Sequence, residues 1–356
     1  MGDRRADAAR IVRDWAIVVR RARASDRDAV LAFATNTFDG WDYIPEAWPV
    51  WLDATDGVML VATRPNDDQP VAITRIALMS PTDAWLEGIR VDPQVRGTNV
   101  ASDLQVAELL WVAAQRATVV RYATSARNEG SHRLGARNDI TPLCAYRNYL
   151  WSPNTDGDPH DPSGFDAAVR AEVTAVRGRV LDAFAADGRV AAVADSERLW
   201  TFLSDEASFN AAQRLYEPRP WALCELTADR FARHVERGEV ITIDGRAVAI
   251  LLREQLVGED SSLRPALLVG DVEGTFELLE RTRELAGRTF RFRLPLDSAL
   301  DLAGHDRLIA AGYHSSDWAL HILGRLMDGA HPLPDIDAKR LILADEPQPI
   351  LEPPRF

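Results

Sequence analysis

An arginine and a glycine, Arg96-Gly97, lie between an apolar run that predicts a strand, Ala84–Val91, and a helical pattern, Val100–Ala117. Such a loop turns successive backbone N–H groups towards one point at a helix start, where the helix dipole also favours negative charge. The guanidinium of Arg96 adds a forked set of positive donors. No Gly-Lys-Ser/Thr follows and the three-glycine dinucleotide spacing is missing, which excludes a Walker loop and a Rossmann turn. The segment therefore predicts an anion site suited to a pyrophosphate.

The strands and helices that must position this loop follow a regular order. In the first half the predicted elements are strand Ala16–Arg20, helix Ser25–Thr37, hairpin Val58–Ala62 with Val71–Leu78, strand Ala84–Val91, helix Val100–Ala117, strand Thr118–Thr124 and helix Gly130–Arg137. In the second half they are hairpin Val240–Leu252, strand Pro265–Val269, helix Glu273–Ala286, strand Thr289–Leu294, helix Ser298–Ala311 and strand Asp317–Leu323. This repeat predicts two related α/β domains.

The domain bounds follow from composition. We expect domains over residues 16–150 and 165–328, separated by the stretch Ser152–Gly164, which is rich in proline, glycine and aspartate. The second domain would open with a helix over Phe165–Ala186. Residues 329–356, rich in proline and acidic side chains, predict an extended tail on the surface.

Composition restricts the class of protein. The 356 residues carry 54 acidic against 41 basic side chains, and this net charge of −13 argues against sequence-independent nucleic-acid binding. Two cysteines, Cys144 and Cys224, suit a reducing cytoplasm better than a disulfide scaffold. No run approaches the roughly 18 apolar residues of a membrane span, and no histidine has metal-ligand spacing. We expect a cytoplasmic protein with no nucleic-acid, membrane or metal partner, and the sequence permits a homodimer.

The loop resembles the acetyl-CoA loop of the GNAT superfamily of N-acetyltransferases. That motif is Arg/Gln-x-x-Gly-x-Gly/Ala after a strand ending in Val-Asp-Pro, and here Arg96-Gly97-Thr98-Asn99-Val100-Ala101 follows Val91-Asp92-Pro93. One departure is Asn99 in place of the central glycine. Asparagine is the non-glycine residue that best tolerates a positive φ, so the loop can keep its shape. Asn128 and Ser131 match the family's Asn-x-x-Ser/Ala pattern.

The resemblance implies tandem GNAT-like α/β domains, each a twisted mixed sheet flanked by helices, with acetyl-CoA as co-substrate. It implies that acetyl-CoA contacts Ile89, Arg90, Val91, Arg96, Gly97, Thr98, Asn99, Val100, Ala101 and Asn128. In this family backbone N–H groups near the position of Val91 polarise the thioester carbonyl. The first domain would transfer acetyl to a primary amine by direct attack in a ternary complex.

Glu87 is the predicted general base. An amine that attacks a thioester must be neutral, whereas an α-amino group has a pKa of about 7.7–8.0, so a base or a water leading to one is needed. Glu87 has the strand parity of Ile89 and Val91, which predicts that the three share a face. The alternative is a structural ion pair between Glu87 and an arginine such as Arg75 or Arg121.

An aromatic segment sharpens the resemblance. Gly40-Trp41-Asp42-Tyr43-Ile44-Pro45, then Trp48 and Trp51, together with Trp85–Pro93, resembles the GNAT subgroup that contains the vertebrate histidine N-acetyltransferase. That similarity implies a small amino acid or amine as the acceptor. The segment could instead be a helix turn that packs in a core.

Four side chains are candidates for acceptor binding. Asp42 and Tyr43 lie where the family's fold covers the acceptor. Arg75 or Arg90 could bind the carboxylate of a free amino acid. A peptide N-terminus, a polyamine or an antibiotic amine fits the same residues equally well.

The usual acid of the family is missing. Many GNAT enzymes carry a tyrosine after the Asn-x-x-Ser pattern that protonates the CoA thiolate, and Gly135 stands here in its place. Tyr43, Tyr146 or Tyr149 could substitute, and the sequence does not choose among them. Because a thiol has a pKa of about 8.5, unassisted departure is slower near neutral pH but not forbidden.

The corresponding loop of the second repeat, Val269–Gly274, contains Asp271 and Glu273, which put negative charge where a pyrophosphate would bind. This predicts a degenerate second domain. Two alternatives stay open. One is a tandem acetyltransferase resembling mycothiol synthase, in which the C-terminal copy is active. The other is a non-catalytic acyl-CoA-binding regulatory protein, which the departures at Asn99 and Gly135 support.

Overall fold

A computed structural model describes residues 15–35, 37, 40–151, 167–243, 245–252, 265–286, 290–345 and 350, with side chains over the same ranges except 167–176 and 290. The expected linker Ser152–Gly164 lies outside the described residues. The chain forms two compact units. Unit 1 consists of Met1–Arg121, His132–Ile140 and Arg325–Arg355, and unit 2 contains Tyr122–Ser131 and Thr141–Gly324.

The bounds of the strands and α-helices in the described residues are as follows. The strands are β1 (Ile17–Arg21), β2 (Gly57–Thr63), β3 (Pro70–Ser80), β4 (Asp83–Val91), β5 (Val119–Ser125), β6 (Thr141–Trp151), β7 (Leu215–Arg219), β8 (Ala222–Glu225), β9 (Val240–Ile243), β10 (Ala247–Ile250), β11 (Leu267–Gly270), β12 (Phe290–Pro295), β13 (His314–Leu326) and β14 (Leu341–Leu343). The α-helices are α1 (Arg27–Leu31), α2 (Ile44–Asp53), α3 (Val100–Ala114), α4 (Glu129–Ala136), α5 (Ala167–Ala186), α6 (Ser196–Asp205), α7 (Ala207–Ala211), α8 (Ala228–Glu236), α9 (Val272–Ala286), α10 (Ala299–Ala303) and α11 (His305–Ala310).

Unit 1 is built on a mixed sheet. Strands β1 to β4 are antiparallel neighbours, β14 pairs parallel with β1, and the first residues of β5 pair parallel with β4. Every residue of β3 is buried, because helices cover both faces of the sheet at this strand. Ile73 packs in an apolar core with Val30, Ile44 and Trp48 of α1 and α2, whereas its neighbour Thr74 contacts α3.

Unit 2 contains three sets of paired strands. β6 lies between β12 and β13, β10 lies between β9 and β11, and β7 pairs with β8, all antiparallel. The apolar core includes Phe184 of α5, Leu278 of α9, and Phe292 stacked on Tyr149. Within the described ranges, none of the helices has the length and apolar character that a membrane crossing requires.

The expected α/β class is confirmed, whereas the division at residues 16–150 and 165–328 stays a prediction. The helix expected over Ser298–Ala311 is interrupted at Gly304, where α10 ends and α11 begins. The expected surface tail contains β14, which adds a strand to the edge of the sheet beside β1. Its pairing could not be seen from a proline-rich composition.

Candidate active site

The loop between β4 and α3 is left-handed at two residues. Gly97 has a φ of 81° and Asn99 a φ of 69°, so Asn99 adopts the conformation expected of the glycine that it replaces. Helix α3 starts directly afterwards at Val100. The backbone N–H groups of Val100 and Ala101 therefore lie in the first turn, where they have no intrahelical acceptor.

Substitutions at Asn99 test this conformation. We expect Asn99→Gly to keep or improve the affinity for CoA, because glycine reaches the left-handed region without strain. Asn99→Val should weaken CoA binding by about tenfold or more, since a β-branched residue at positive φ costs roughly 1–3 kcal/mol. Isothermal titration with CoA measures both, and equal affinities for the two variants would contradict the assignment.

The exposed part of the loop is Arg96 and Gly97. Nε of Arg96 donates to the Val91 carbonyl oxygen at 3.2 Å. Apart from Gly97 and its two chain neighbours, no described residue has an atom within 4 Å of the point where a Cβ on Gly97 would stand, so this position is open. Thr98 turns its hydroxyl inward and donates to the Val95 carbonyl at 2.6 Å. A guanidinium and helix-terminal N–H groups are donors that suit an anion such as a pyrophosphate.

Strand β4 carries a bulge. Its register against β3 shifts by one residue between Glu87 and Arg90, so Gly88 and Ile89 both lie opposite Thr74. Gly88 has a φ of 72°, a conformation that is strained for any residue with a Cβ.

The bulge overturns the alternation predicted from the sequence. Glu87, Ile89 and Val91 were expected to share a face, and this is wrong because the extra residue reverses the alternation after Gly88. Glu87 and Arg90 instead share one face of β4, and Val91 lies on the other.

The N–H group of Val91 points away from β3. The next amide, that of Asp92, donates to the Val71 carbonyl oxygen on β3 at 2.9 Å. Successive N–H groups of a strand point to opposite sides, so the Val91 N–H points to the side where β5 lies. On that side β4 pairs with β5 only over Asp83–Trp85, among the described residues. The Val91 N–H therefore points to the side on which this stretch of β4 has no neighbouring strand among the described residues.

Glu87 forms an ion pair with Arg75, which also bonds Asp56. Arg75 is only 2% exposed, while Glu87 and Asp56 keep 16% and 22% of their side chains exposed. Burial alone would lower the pKa of Arg75, but the two carboxylates raise it above its ordinary value. Of the two interpretations of Glu87, the ion pair is present in the structure, and its role as a base stays a prediction.

Asp42 and Arg90 also pair with each other. Nε and Nη2 of Arg90 donate to the two carboxylate oxygens of Asp42 at 2.7 and 3.1 Å. The same carboxylate accepts from the Ile44 N–H at the start of α2. The guanidinium carbon of Arg90 lies 4.9 Å from the centre of the Tyr43 ring. Burial lowers the pKa of Arg90, but Tyr43 and Asp42 raise it above its ordinary value. These contacts favour a structural role for Asp42. Of the two predicted acceptor contacts, Asp42 is buried and Tyr43 is half-buried.

Asn128 lies in unit 2, where its side-chain oxygen accepts from the Ser131 N–H at 3.1 Å and caps the start of α4. Gly135 lies within that helix. Of the tyrosines proposed as acids, Tyr149 is buried and donates to Asp301 at 2.6 Å. Burial and this carboxylate raise the pKa of Tyr149 well above its ordinary value, which disfavours proton donation by it.

In the corresponding loop of the second repeat, a carboxylate of the chain itself occupies the helix start. The Asp271 carboxylate accepts from the Gly274 N–H in the first turn of α9 at 2.7 Å. Asp271 also pairs with Arg246, and Glu273 pairs with Arg307. The Arg246 hydrogen bond lowers the pKa of Asp271, and the Arg307 hydrogen bond lowers that of Glu273, so both stay ionised. These charges fit the expectation of a degenerate second loop.

Three features of this region were missed in the sequence. The sequence did not indicate that Asp56 is a second partner of Arg75, because the two residues are 19 positions apart and do not belong to the same element. Trp51, whose ring lies against Gly88 and Arg75, was noted only as an aromatic. Gly88 alone had a usable signal, since an isolated glycine within a strand pattern indicates a bulge. In the described ranges, no group of three His, Cys, Asp or Glu side chains is arranged to hold a metal ion.

Comparison with known proteins gives two kinds of similarity. No protein-family model matches the chain. Over 84 residues the chain is 30% identical to the histidine N-acetyltransferases of Scomber australasicus and Oreochromis niloticus. These residues are 23% of this chain and 24% of each relative, so the match spans about a quarter of either protein.

The similarity in structure is more extensive. A GCN5-related N-acetyltransferase from Sphaerobacter thermophilus aligns with a TM-score of 0.51 and 14% identity, over 93% of this chain and 100% of that one. At this identity the alignment is evidence of a shared fold. The chain has the fold of the GNAT acetyltransferases.

Proposed function

We propose that the protein is an acetyl-CoA-dependent N-acetyltransferase that acetylates a primary amine of a small molecule or amino acid. The observation that carries this proposal is the loop Arg96–Ala101, with left-handed Gly97 and Asn99 directly before α3. A helix start with the exposed Arg96 beside it, next to a stretch of β4 that pairs with β3 on one side only among the described residues, suits a pyrophosphate with its thioester nearby.

The reaction is a direct attack in a ternary complex. The amine nitrogen attacks the thioester carbonyl carbon, the C–N bond forms and the C–S bond breaks. Arg96–Ala101 hold the pyrophosphate, and the Val91 N–H stabilises the oxyanion. Glu87, paired with Arg75, takes the amine proton directly or through a water. The thiolate leaves and takes its proton from solvent.

The acceptor stays open between an amino acid and another small amine. The similarity to histidine N-acetyltransferases favours an amino acid. A free amino acid would need a cation for its carboxylate, and Arg75 and Arg90 both already pair with carboxylates of this chain. A panel of acceptors that differ in this group decides between the two classes.

The test is acetyl-CoA-dependent thiol release across amino acids, polyamines and aminoglycosides, with Arg96→Ala alongside. Loss of a charged hydrogen bond to phosphate costs roughly 1.5–3 kcal/mol, so we expect the KM for acetyl-CoA to rise about 10- to 100-fold in this variant. Arg27→Ala, which removes a half-exposed arginine from α1, is the matched control and should leave KM unchanged.

Other outcomes are equally informative. CoA binding in calorimetry without thiol release on any amine would support the regulatory acyl-CoA-binding alternative. Absence of CoA binding would contradict the assignment of the loop itself. Because Asp271 fills the second loop, we expect one CoA per chain.

A further inference from the structure

A buried carboxyl group lies directly behind the bulge of β4. Glu108, in the middle of α3, is 1% exposed and bonds to the hydroxyl of Thr74 on β3. The same Thr74 Oγ1 lies 3.3 Å from the carbonyl oxygen of Glu87, where the bulge begins. Thr74 is thus the link between a carboxyl group in the helix and the backbone of the proposed catalytic strand.

Whether Thr74 can donate a hydrogen bond to the Glu87 carbonyl depends on the protonation state of Glu108. The Thr74 hydroxyl has one proton to donate. If Glu108 is neutral, its own O–H donates to Thr74 Oγ1, and Thr74 is free to donate to the Glu87 carbonyl. If Glu108 is ionised, both neighbours of Thr74 are acceptors, and the charged carboxylate forms the stronger bond. Ionisation of Glu108 therefore removes the hydrogen bond to Glu87.

The surroundings of Glu108 favour the neutral form. On α3 itself the other acid, Asp103, is paired with Arg340, which precedes β14. On the strands that contact α3, Arg75 and Glu87 are paired with each other on the opposite face of the sheet, and Arg20 is paired with Asp26. Apart from Thr74, no described side chain is a hydrogen-bond or ion-pair partner of Glu108. Burial raises the pKa of Glu108 to about 8, and the bond from Thr74 offsets part of this effect.

We propose that Glu108 is a positioning residue, whose carboxyl proton keeps Thr74 bonded to the Glu87 carbonyl and thereby holds the bulge of β4. The bulge orients the Glu87 side chain and the Val91 N–H, so the proton on Glu108 controls their placement. The effect on catalysis rests on the proposed acetyltransferase function, whereas the effect on the strand does not.

The expected pH dependence has a definite sign. Below about pH 8 Glu108 is neutral and the link is intact, and above it the Thr74 hydroxyl turns to the carboxylate. We therefore expect kcat/KM to fall on the alkaline side. Deprotonation of an acceptor amine acts in the opposite direction, because it raises the rate with pH. The two titrations are thus distinguishable in one profile.

The experiment compares the wild type with Glu108→Gln, Thr74→Val and the control Asp103→Asn between pH 6 and 10. Glutamine donates to Thr74 through its amide and does not titrate, so Glu108→Gln should lack the alkaline fall. Thr74→Val removes the link at every pH, and its kcat/KM should be about fivefold lower at pH 7, the size expected for one hydrogen bond. Asp103→Asn should keep the wild-type profile.

A second readout is independent of catalysis. Amide hydrogen exchange of peptides covering residues 85–91, corrected for the intrinsic effect of pH, should accelerate above pH 8 in the wild type but not in Glu108→Gln. The same exchange pattern in both proteins would overturn the proposal, whether or not acetyl transfer is found. Absence of turnover in the wild type, with the expected exchange difference, would contradict only the acetyltransferase assignment.

Discussion

Replacing Arg75 with leucine will lower the free energy of unfolding by about 3 kcal/mol at pH 7. Removal of one partner from a buried ion pair typically costs roughly 3–5 kcal/mol, because the remaining charge stays in a poorly hydrated site. Here Glu87 and Asp56 are both left without their cation, and their partial exposure places the effect at the lower end. Urea unfolding at pH 7 measures the change from the shift in midpoint at constant slope.

A second variant separates the contribution of the ion pair to the free energy of unfolding from the contribution of Arg75 packing. Arg75→Leu combined with Glu87→Gln removes one stranded charge, so the double variant should be more stable than Arg75→Leu alone. A double variant that is as unstable as the single one would mean that the carboxylates do not need Arg75. The interaction with Trp51, whose ring centre lies 5.5 Å from the guanidinium, would then account for the loss.

Replacing Gly88 with valine will destabilise the protein by roughly 3 kcal/mol and lower kcat/KM by at least tenfold. A β-branched residue at a φ of 72° is strained, and a Cβ at this position would lie 2.6 Å from two ring atoms of Trp51. The strand can relieve both only by losing the bulge, which would return Glu87 and Val91 to one face. Thermal unfolding and the steady-state kinetics of acetyl-CoA turnover measure the two effects.

The contribution of Trp51 can be separated from that of the backbone. In a Trp51→Ala background the steric conflict disappears while the positive φ remains, so Gly88→Val should cost less there than in the wild type. Equal costs in both backgrounds would show that the strand moves away from α2 without resistance. Gly57→Ala is unsuitable as a control, since its Cβ would lie 2.0 Å from the Ile76 carbonyl oxygen.

The anion loop was the part of the site most accessible from sequence. Asparagine is the non-glycine residue that best tolerates a positive φ, so the sequence indicated that Asn99 could keep the shape of the loop, and the structure has a φ of 69° there. Most strands and helices were also predictable, because apolar periodicity reports which face of an element is buried. Helix α2 was foreseen only as an alternative to a substrate loop.

Pairing between distant residues was not predictable in the same way. The sequence offered Arg75 or Arg121 as a partner for Glu87, and only the register of β3 against β4 distinguishes them. Arg121 instead pairs with Asp83. Glu108 was read simply as part of a helical pattern, since nothing local reveals that its position in the helix is buried against Thr74. Burial and register are properties of the assembled sheet.

The pairing of β14 with β1 has a consequence for biosynthesis. Ile17 and Leu341 are partners, and the Arg21 N–H bonds the Asp345 carboxylate across 324 residues of sequence. During translation, β1 to β4 are therefore synthesised long before β14. The edge of β1 that pairs with β14 stays open until β14 has left the ribosome. Folding of the N-terminal sheet is thus completed only after translation of Leu341–Leu343, and a nascent chain stalled before Leu341 should expose β1 to chaperones.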